Sequence, residues 1–165
     1  MNSINELFEH ELQDIYYAEH KLVTALQEMA GESSDPAIKK AFLGHMTQTE
    51  EHIKRLDQVF AGLGMKPKAE KCLGIEGLLN EKKAFAKEKP SPEVLDVFNL
   101  GAGAKSERYE ISAYEALIGM ATELGKTDAR KLLNENLQEE EHALSTVKTL
   151  SKTAVQRSPV GSAKS

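Results

Sequence analysis

Two glutamates interrupt the apolar faces of two long amphipathic segments. In the first segment, apolar residues recur at helical spacing, and Glu19 occupies a position in the middle of that series. In the second half of the chain, Glu110 interrupts a similar series, which includes Leu95, Phe98 and Leu117 and is predicted to face the core. An ionised carboxylate is costly to bury unless a partner compensates its charge. Two such carboxylates on two long helices therefore suggest a shared partner, for which a metal ion is the simplest candidate.

A Glu-x-x-His pair occurs in the last segment, where Glu139 and His142 are three residues apart. Residues at that spacing share one face of a helix, so a carboxylate and an imidazole can reach the same ion. Carboxylate-bridged di-iron or di-manganese sites in four-helix bundles combine two single glutamates with two such pairs. Glu19, Glu110 and the Glu139–His142 pair would supply three of these four parts. Glu107, one turn before Glu110, is a further candidate ligand.

The fourth part of this pattern is incomplete. His52 lies on the apolar face of the second segment, but the residue three before it is Thr49 rather than Glu. Gln48 and Glu51 lie at the edges of that face, so His52 could act with either of them. His45, two turns earlier, could orient a ligand or could be an ordinary packed histidine.

Ordinary structural roles are the alternative for each of these residues. Glu19 could pair with Arg108 or with a lysine in a partly exposed groove. A Glu-x-x-His pair arises easily by chance in a helix rich in glutamate, and Glu140 and Glu141 are predicted to belong to a solvated face. The tyrosines are predicted to pack with their hydroxyls hydrogen-bonded, and one of them could bind a ligand carboxylate: Tyr16, Tyr17, Tyr109 and Tyr114.

The composition is typical of one globular domain. The chain has 165 residues, of which 40% are hydrophobic and 28% charged. A net charge of −5 argues against binding to nucleic acid. No segment approaches the roughly 20 apolar residues that cross a bilayer, and the start of the chain lacks the pattern of a signal peptide. The single cysteine, Cys72, cannot form an internal disulfide. We therefore expect a cytoplasmic protein with no membrane association.

Helix start and stop signals divide the chain into four long helices. No segment alternates with the period of two that is typical of strands. The predicted helices run from Ile4 to Gly31, from Pro36 to about Gly62, from Pro92 to Gly125, and from a Thr127 cap to about Lys152.

The lengths of the connections predict the topology. Short connections make each pair of helices an antiparallel hairpin, whereas nearly 30 residues, Gly64 to Ser91, separate the two hairpins. Within this connection, Gly77 to Lys87 is predicted to form a short helix. The expected fold is therefore an all-α four-helix bundle of two hairpins with a long crossover, over residues 1–152. Residues 153–165 are predicted to be a flexible tail.

Several strings resemble those of ferritin-like proteins, and more narrowly those of the YciE/YciF-type bacterial stress proteins. The resemblance covers roughly residues 1–150. It rests on Asp14-Ile-Tyr-Tyr-Ala-Glu19, His45-x3-Thr49-x2-His52, Lys71-Cys72-x3-Glu76-Gly77-Leu78, Glu107-x-Tyr109-Glu110-Ile111 and Leu137-x-Glu139-Glu140. It implies a cytoplasmic ferritin-like bundle, often dimeric, that is associated with osmotic and oxidative stress, but it implies no defined reaction.

Two positions depart from the pattern of these relatives. Gln48 stands where they commonly have Glu, and His142 stands where they often have a residue that is not a ligand. Gln48 leaves the ligand of the second helix open between Gln48, Glu51 and His52, whereas His142 makes the chain resemble a rubrerythrin-like or manganese-catalase-like site more than those relatives do.

Our leading hypothesis is a dinuclear iron site, or alternatively a manganese site, that performs redox chemistry on hydrogen peroxide or dioxygen. Its predicted ligands are Glu19, His52, Glu110, Glu139 and His142, with Glu51 and Glu107 as additional candidates. The second hypothesis is a non-enzymatic bundle with a vestigial or structural metal that acts through partners. A storage cage is a third, because the chain length fits, although no segment specifies a cage interface. We expect a homodimer through exposed helix faces.

Overall fold

The computed structural model describes residues 1–158, which form five α-helices and no strand. None of these helices combines the length and the apolar character that crossing a membrane requires. The helices are α1 (Ile4–Glu32), α2 (Pro36–Gly62), α3 (Leu73–Ala86), α4 (Pro92–Glu123) and α5 (Thr127–Arg157). The all-α fold class is therefore confirmed, and four of the helices have the predicted long form.

Side-chain caps begin α1, α2 and α4 where the sequence predicts them. Ser3, Asp35 and Ser91 each accept a hydrogen bond from a backbone N–H in the first turn of the helix that follows. The start of α5 differs, because Thr127 is its first helical residue rather than its cap. Lys126 occupies the cap position instead, and its ammonium group, which has no acceptor, makes no capping hydrogen bond.

Two helix boundaries extend beyond their predicted positions. α3 begins at Leu73 rather than Gly77, because the buried sulfur of Cys72 accepts a hydrogen bond from the third residue of the helix. α5 continues past Lys152 to Arg157, since no glycine or proline interrupts that stretch. α5 therefore enters the segment predicted to be a flexible tail, and residues 159–165 lie outside the described part of the chain.

The long helices form a ring in which each packs antiparallel to its neighbours. α1 pairs with α2 and α4 pairs with α5, while α2 packs on α5 and α1 packs on α4. The backbone N–H groups of Ser34 and Asp35, before α2, both donate to Asp96 near the start of α4. α2 and α4 therefore begin at the same end, as the long crossover predicts, and α3 in that crossover covers parts of α4 and α1.

The buried face of α4 is broader than predicted. Glu110 and Leu117 lie on it as expected, but Leu95 and Phe98 are only half-buried beside it. Phe98 instead stacks on Phe85 of α3, with ring centroids 3.8 Å apart. Because α4 packs against three other helices, its apolar residues are spread around the helix rather than confined to one stripe.

The interior consists of two apolar clusters with a polar layer between them. The large apolar cluster is built around Phe8, Leu12, Leu56, Tyr114 and Leu133. The small apolar cluster contains Leu26, Met29, Ala30, Ile38, Phe42, Leu100 and Val147. Buried polar side chains from all four long helices form the layer between the clusters: Glu19, His45, Thr49, His52, Ser106, Glu107, Glu110, Asn136 and Glu140.

Candidate metal centre

Two groups of three side chains share Glu140 in the polar layer. One group is Glu19, His52 and Glu140, and the other is His45, Glu107 and Glu140. Within each group the potential ligand atoms all lie within 4.8 Å of one another. The two oxygens of Glu140 face different groups, because Oε1 is 2.9 Å from His52 Nδ1 and Oε2 is 3.4 Å from His45 Nε2. Each group could therefore hold a metal ion, with one carboxylate between the two positions.

The Glu19–His52 position is enclosed by protein. His52 Nδ1 lies 3.4 Å from Glu19 Oε1, and neither side chain is exposed to solvent. The Tyr114 hydroxyl donates a hydrogen bond to Glu19 and accepts one of 2.9 Å from the side chain of Asn136. Burial and the nearby Glu19 carboxylate raise the pKa of Tyr114 well above its usual value, so this phenol keeps its proton.

The His45–Glu107 position lies beside a groove. His45 Nε2 is 3.1 Å from Glu107 Oε2, and the side chain of His45 is 9% exposed. Its other ring nitrogen lies 3.4 Å from the side-chain oxygen of Gln48. A groove of about 490 Å³ between α2 and α5 reaches both His45 and Glu107 from the surface. The second position is therefore accessible in a way that the first is not.

Glu110 completes the polar layer from α4. Its side chain is fully buried, and burial together with the charges of Glu140, Glu19 and Glu107 raises its pKa well above the usual value. Its Oε1 has no hydrogen-bond partner within the described part of the chain. Four glutamates therefore converge on one buried region, close enough for their charges to interact.

The donor atoms of this region fit a pair of divalent ions. Several histidine nitrogens and glutamate oxygens of this region lie within ion-pair distance of each other, but their geometry does not give hydrogen bonds. Among residues 1–158, the buried atoms left without a hydrogen-bond partner include Glu19 Oε2, His52 Nδ1, Glu107 Oε2, Glu110 Oε1 and both oxygens of Glu140. Unpaired buried polar atoms are costly, and carboxylate and imidazole donors suit iron or manganese. Two dications would balance the charge of four carboxylates.

Protons compensate the charges of the metal-free site. Burial raises the pKa of Glu19. Burial also raises the pKa of Glu107 to about 8, and the nearby Glu140 carboxylate adds to this effect. Burial alone would lower the pKa of His52, but Glu19 and Glu140 raise it to about 10. Burial would also raise the pKa of Glu140, but its close contacts with Glu107 and with both histidines hold it below its usual range. Metal binding here must therefore displace protons.

A carboxylate and an arginine fix the ring of His52 from behind. Its Nε2 donates a 2.9 Å hydrogen bond to Glu139 Oε2, while its Nδ1 faces Glu19 and Glu140. Arg55 donates to both oxygens of Glu139, at 2.8 and 3.1 Å. The pKa of Glu139 stays below its usual value, since its hydrogen bond to Arg55 and the charge of His52 outweigh burial. An ion at Nδ1 would therefore meet a histidine held in one orientation.

The structure brings only some of the predicted ligands together. Glu19, His52 and Glu107 belong to the two groups, and Glu110 lies against them. The other three predicted ligands, Glu51, Glu139 and His142, belong to neither group. Glu139 lies behind His52, His142 is exposed and lines the groove, and Glu51 pairs with Lys54 at the surface.

Two other interpretations of the sequence are wrong. The sequence predicts Glu140 on a solvated face, but its side chain is fully buried at the centre of the site. Arg108 is not the partner of Glu19, because it is exposed and donates to a backbone carbonyl of its own helix. Thr49 does face the buried polar layer, but its hydroxyl donates a hydrogen bond to the backbone carbonyl of His45.

The apolar pattern of α5 could have identified Glu140. Glu140 is seven residues from both Leu133 and Val147, and these three residues lie on one buried stripe. The Glu-x-x-His motif directed attention to the neighbouring face instead. His45 also lies on the buried stripe of α2, but the pattern alone cannot distinguish a ligand from a packed histidine.

Known proteins are similar to this chain in sequence and in fold. Protein YciF of Escherichia coli K12 is 38% identical over 141 residues, which cover 85% of each chain. The crystal structure of the E. coli stress protein YciF matches with a TM-score of 0.90 at 34% identity, over 96% of this chain and all of that one. YcfI from Rhodopseudomonas palustris matches with a TM-score of 0.88 at 36% identity, over 90% of this chain and 94% of that one.

A more distant match concerns the fold alone. A two-domain protein from Anabaena variabilis, with DJ-1/ThiJ/PfpI-like and ferritin-like domains, matches with a TM-score of 0.70 at 16% identity. The match covers 99% of this chain and 42% of that protein. The fold is therefore the ferritin-like bundle. The model of the family DUF892, described as a domain of unknown function, matches residues 3–159. The chain thus belongs to the DUF892 family, with YciF as a close relative.

Proposed function

We propose that this protein is a ferritin-like stress protein that binds a carboxylate-bridged pair of iron ions, or alternatively of manganese ions. The observation that carries the proposal is the Glu140 carboxylate, which presents one unpaired oxygen to each of two His–Glu groups. The similarity of the whole chain to the E. coli stress protein YciF supports a role in the stress response. A cytoplasmic location and a homodimer are part of the proposal as well.

The residues divide into those that would hold the ions and those that would support them. Glu19 and His52 would hold one ion, His45 and Glu107 the other, and Glu140 would bridge them. Glu110 would add a further carboxylate. Such a pair of ions would supply the two electrons that reduction of hydrogen peroxide requires.

The surrounding side chains would control access and geometry. Tyr114 would hold the orientation of the Glu19 carboxylate through its hydrogen bond, and Glu139 would do the same for the His52 ring. The groove would admit a small oxidant, hydrogen peroxide or dioxygen, on the His45 side. The enclosed Glu19–His52 side would exclude bulk water.

A second candidate function is a structural bundle in which the metal has no redox role. The residue types on α2 and α5 favour it, because Thr49 and Ala143 stand where complete Glu-x-x-His pairs would place a further Glu and His. Both histidines of the site, His45 and His52, therefore come from α2, whereas a complete set of pairs would place one on each of two helices. Peroxide consumption by the metal-loaded protein separates the two functions.

Metal content is the decisive measurement. Protein purified without chelators, and protein reconstituted anaerobically with Fe²⁺ or Mn²⁺, should each contain two ions per chain by inductively coupled plasma mass spectrometry. Loaded protein that consumes peroxide catalytically supports the redox function, whereas loaded but inactive protein supports the structural bundle. Protein that binds no iron or manganese under either condition contradicts both forms of the proposal.

A further inference from the structure

Two hydrogen-bond chains begin at Arg55, and both end at ligands of the enclosed Glu19–His52 position. The side chain of Arg55 is 20% exposed and extends from α2 to α5. Its guanidinium donates to the carboxylate of Glu139, at 2.8 and 3.1 Å, and to the side-chain oxygen of Asn136, at 2.9 Å. One arginine can hold two acceptors in this way because its five N–H donors form a rigid fork.

The first chain runs through Glu139 to the ring of His52. Glu139 Oε2 accepts from Arg55 at 3.1 Å and from His52 Nε2 at 2.9 Å. Arg55 and His52 are three residues apart on α2, and Asn136 and Glu139 are three residues apart on α5. Residues at that spacing share a helix face, so all four side chains meet where the two helices pack. The guanidinium therefore determines where the carboxylate behind the imidazole lies.

The second chain runs through Asn136 and Tyr114 to the carboxylate of Glu19. Asn136 is fully buried, and its side-chain nitrogen donates a 2.9 Å hydrogen bond to the Tyr114 hydroxyl. A guanidinium has donors only, so the oxygen of the amide must face Arg55 and the nitrogen must face Tyr114. The phenol, which accepts from this nitrogen, then directs its own proton toward Glu19. Arg55 thus sets the direction of every hydrogen bond in the second chain.

We propose that Arg55 is a positioning residue that orients the imidazole of His52 through one chain and the carboxylate of Glu19 through the other. The presence of an ion between these ligands rests on the proposed function, whereas the two chains belong to the metal-free protein. The position beside the groove lies outside both chains. There, the second ring nitrogen of His45 lies 3.4 Å from the side-chain oxygen of Gln48. Arg55 therefore sets the geometry of one metal position and not of the other.

Charge and positioning predict opposite effects when Arg55 is replaced. Arg55→Met removes a positive charge, which by repulsion alone would strengthen the binding of a dication, whereas loss of positioning weakens it. Calorimetric titration with Mn²⁺ reports the enclosed position in a Glu107→Gln protein and the position beside the groove in a Glu19→Gln protein. We expect Arg55→Met to weaken binding by about 10- to 100-fold in the first protein, without weakening it in the second. Intact binding in the second also shows that the variant folds.

A further variant separates the two chains. In a Glu107→Gln protein that also carries Glu139→Gln, Arg55→Met should still weaken Mn²⁺ binding by about threefold or more, because the second chain is intact there. Lys54→Met is the matched control, since Lys54 is the exposed neighbour of Arg55 and pairs only with a surface glutamate among residues 1–158. It removes the same charge and should not weaken binding at either position.

A metal-free measurement keeps this inference separate from the proposed function. Nuclear magnetic resonance follows the exchange with water of two protons, the hydroxyl proton of Tyr114 and the Nε2 proton of His52. Both should exchange at least about tenfold faster in Arg55→Met and at the original rate in Lys54→Met.

Two outcomes overturn the inference. One is faster exchange of the His52 proton alone, and the other is Mn²⁺ binding that Arg55→Met does not weaken once Glu139 is replaced. Either result would mean that Arg55 acts only through Glu139. Faster exchange of both protons, in a chain whose wild-type form binds no Mn²⁺, would support the two chains and contradict the proposed function instead.

Discussion

The two sides of Glu140 differ in how much solvent reaches them. On one side, Glu19 and His52 are entirely buried against the large apolar cluster, and Tyr114 closes the site. On the other side, His45 and Glu107 lie at the end of a groove. Similar donor sets, each with one histidine and two carboxylates, are thus placed in different surroundings.

The difference follows from the sizes of the flanking side chains. The large apolar cluster supplies phenylalanine, leucine and tyrosine next to the Glu19–His52 position. Beside His45, the facing surfaces of α2 and α5 carry Ala41, Gly44 and Ala143, which leave the space between the helices open. An ion at the first position would therefore be shielded from solvent, whereas an ion at the second would be in contact with the groove.

Removal of the shared carboxylate should have the largest effect. Glu140→Gln takes one donor from both positions, so we expect loss of both ions in a metal-content measurement. Glu107→Gln takes a donor from the His45 position alone, so one ion per chain should remain.

Glu141→Gln is the control for this comparison, because Glu141 is the exposed neighbour of Glu140 on the same helix. It should keep both ions. Circular dichroism of each metal-free variant checks that the helices persist. A Glu140→Gln protein that is folded and still binds two ions would show that the two positions do not share this carboxylate.

A smaller and selective effect is expected from Glu139→Gln. This change removes the charged acceptor behind His52, and loss of such an outer partner typically weakens metal binding by about 10- to 100-fold. Only the enclosed position should be affected, so calorimetric titration with Mn²⁺ should show one weakened step and one unchanged step.

Glu135→Gln is the matched control for that variant. Glu135 lies on the same helix and contacts the same Arg55, at 3.4 Å, but it does not touch His52. It should leave both binding steps unchanged. Equal weakening by the two variants would mean that Glu139 acts only through the surface charge around Arg55.

The pH dependence of stability should have opposite signs with and without metal. In the metal-free protein, the pKa of Glu107 is raised from 4.5 to about 8, so the folded state keeps a proton that the unfolded state releases in that range. His52, with its pKa raised to about 10, acts in the same direction above its usual value of about 6.5. The free energy of unfolding should therefore fall as the pH rises between these values.

Metal reverses this trend, because ions compete with the same protons and bind more tightly as the pH rises. Urea unfolding at about pH 5.5 and about pH 8, with a chelator or with Mn²⁺, measures both trends by standard linkage. Glu107→Gln should flatten the metal-free curve. A metal-free protein that becomes more stable toward pH 8 would contradict the protonation pattern of this site.

The string Glu-Glu-His occurs at 50–52 and again at 140–142, and it is used differently each time. On α2 its third residue, His52, faces the interior, whereas on α5 its first residue, Glu140, does so. The Glu139-x-x-His142 spacing nevertheless predicted His142 as a ligand. In the structure, Leu133 and Val147 pack in the core and fix the rotation of α5 about its axis. Glu140 therefore faces the interior, and His142 lies at the surface beside the groove.

The helices themselves were predictable from local signals. Caps at Ser3, Asp35 and Ser91 and the long crossover act over short stretches of chain, so the sequence predicted the long helices and their connections correctly. The burial of Glu19 and Glu110 was predicted in the same way, because a carboxylate within an apolar series is visible without a partner. The end of α5 was less predictable, since no breaker precedes Arg157.

The sequence by itself thus determined an all-helical bundle with buried carboxylates at mid-height. Tertiary structure alone decided which side chains meet there: Glu140 between two histidines, Glu139 behind His52, and His142 on an open groove. The physical reason is that the rotation of each helix about its axis depends on the sum of its contacts with neighbouring helices. Side chains one residue apart on a helix can therefore end in the core or in water.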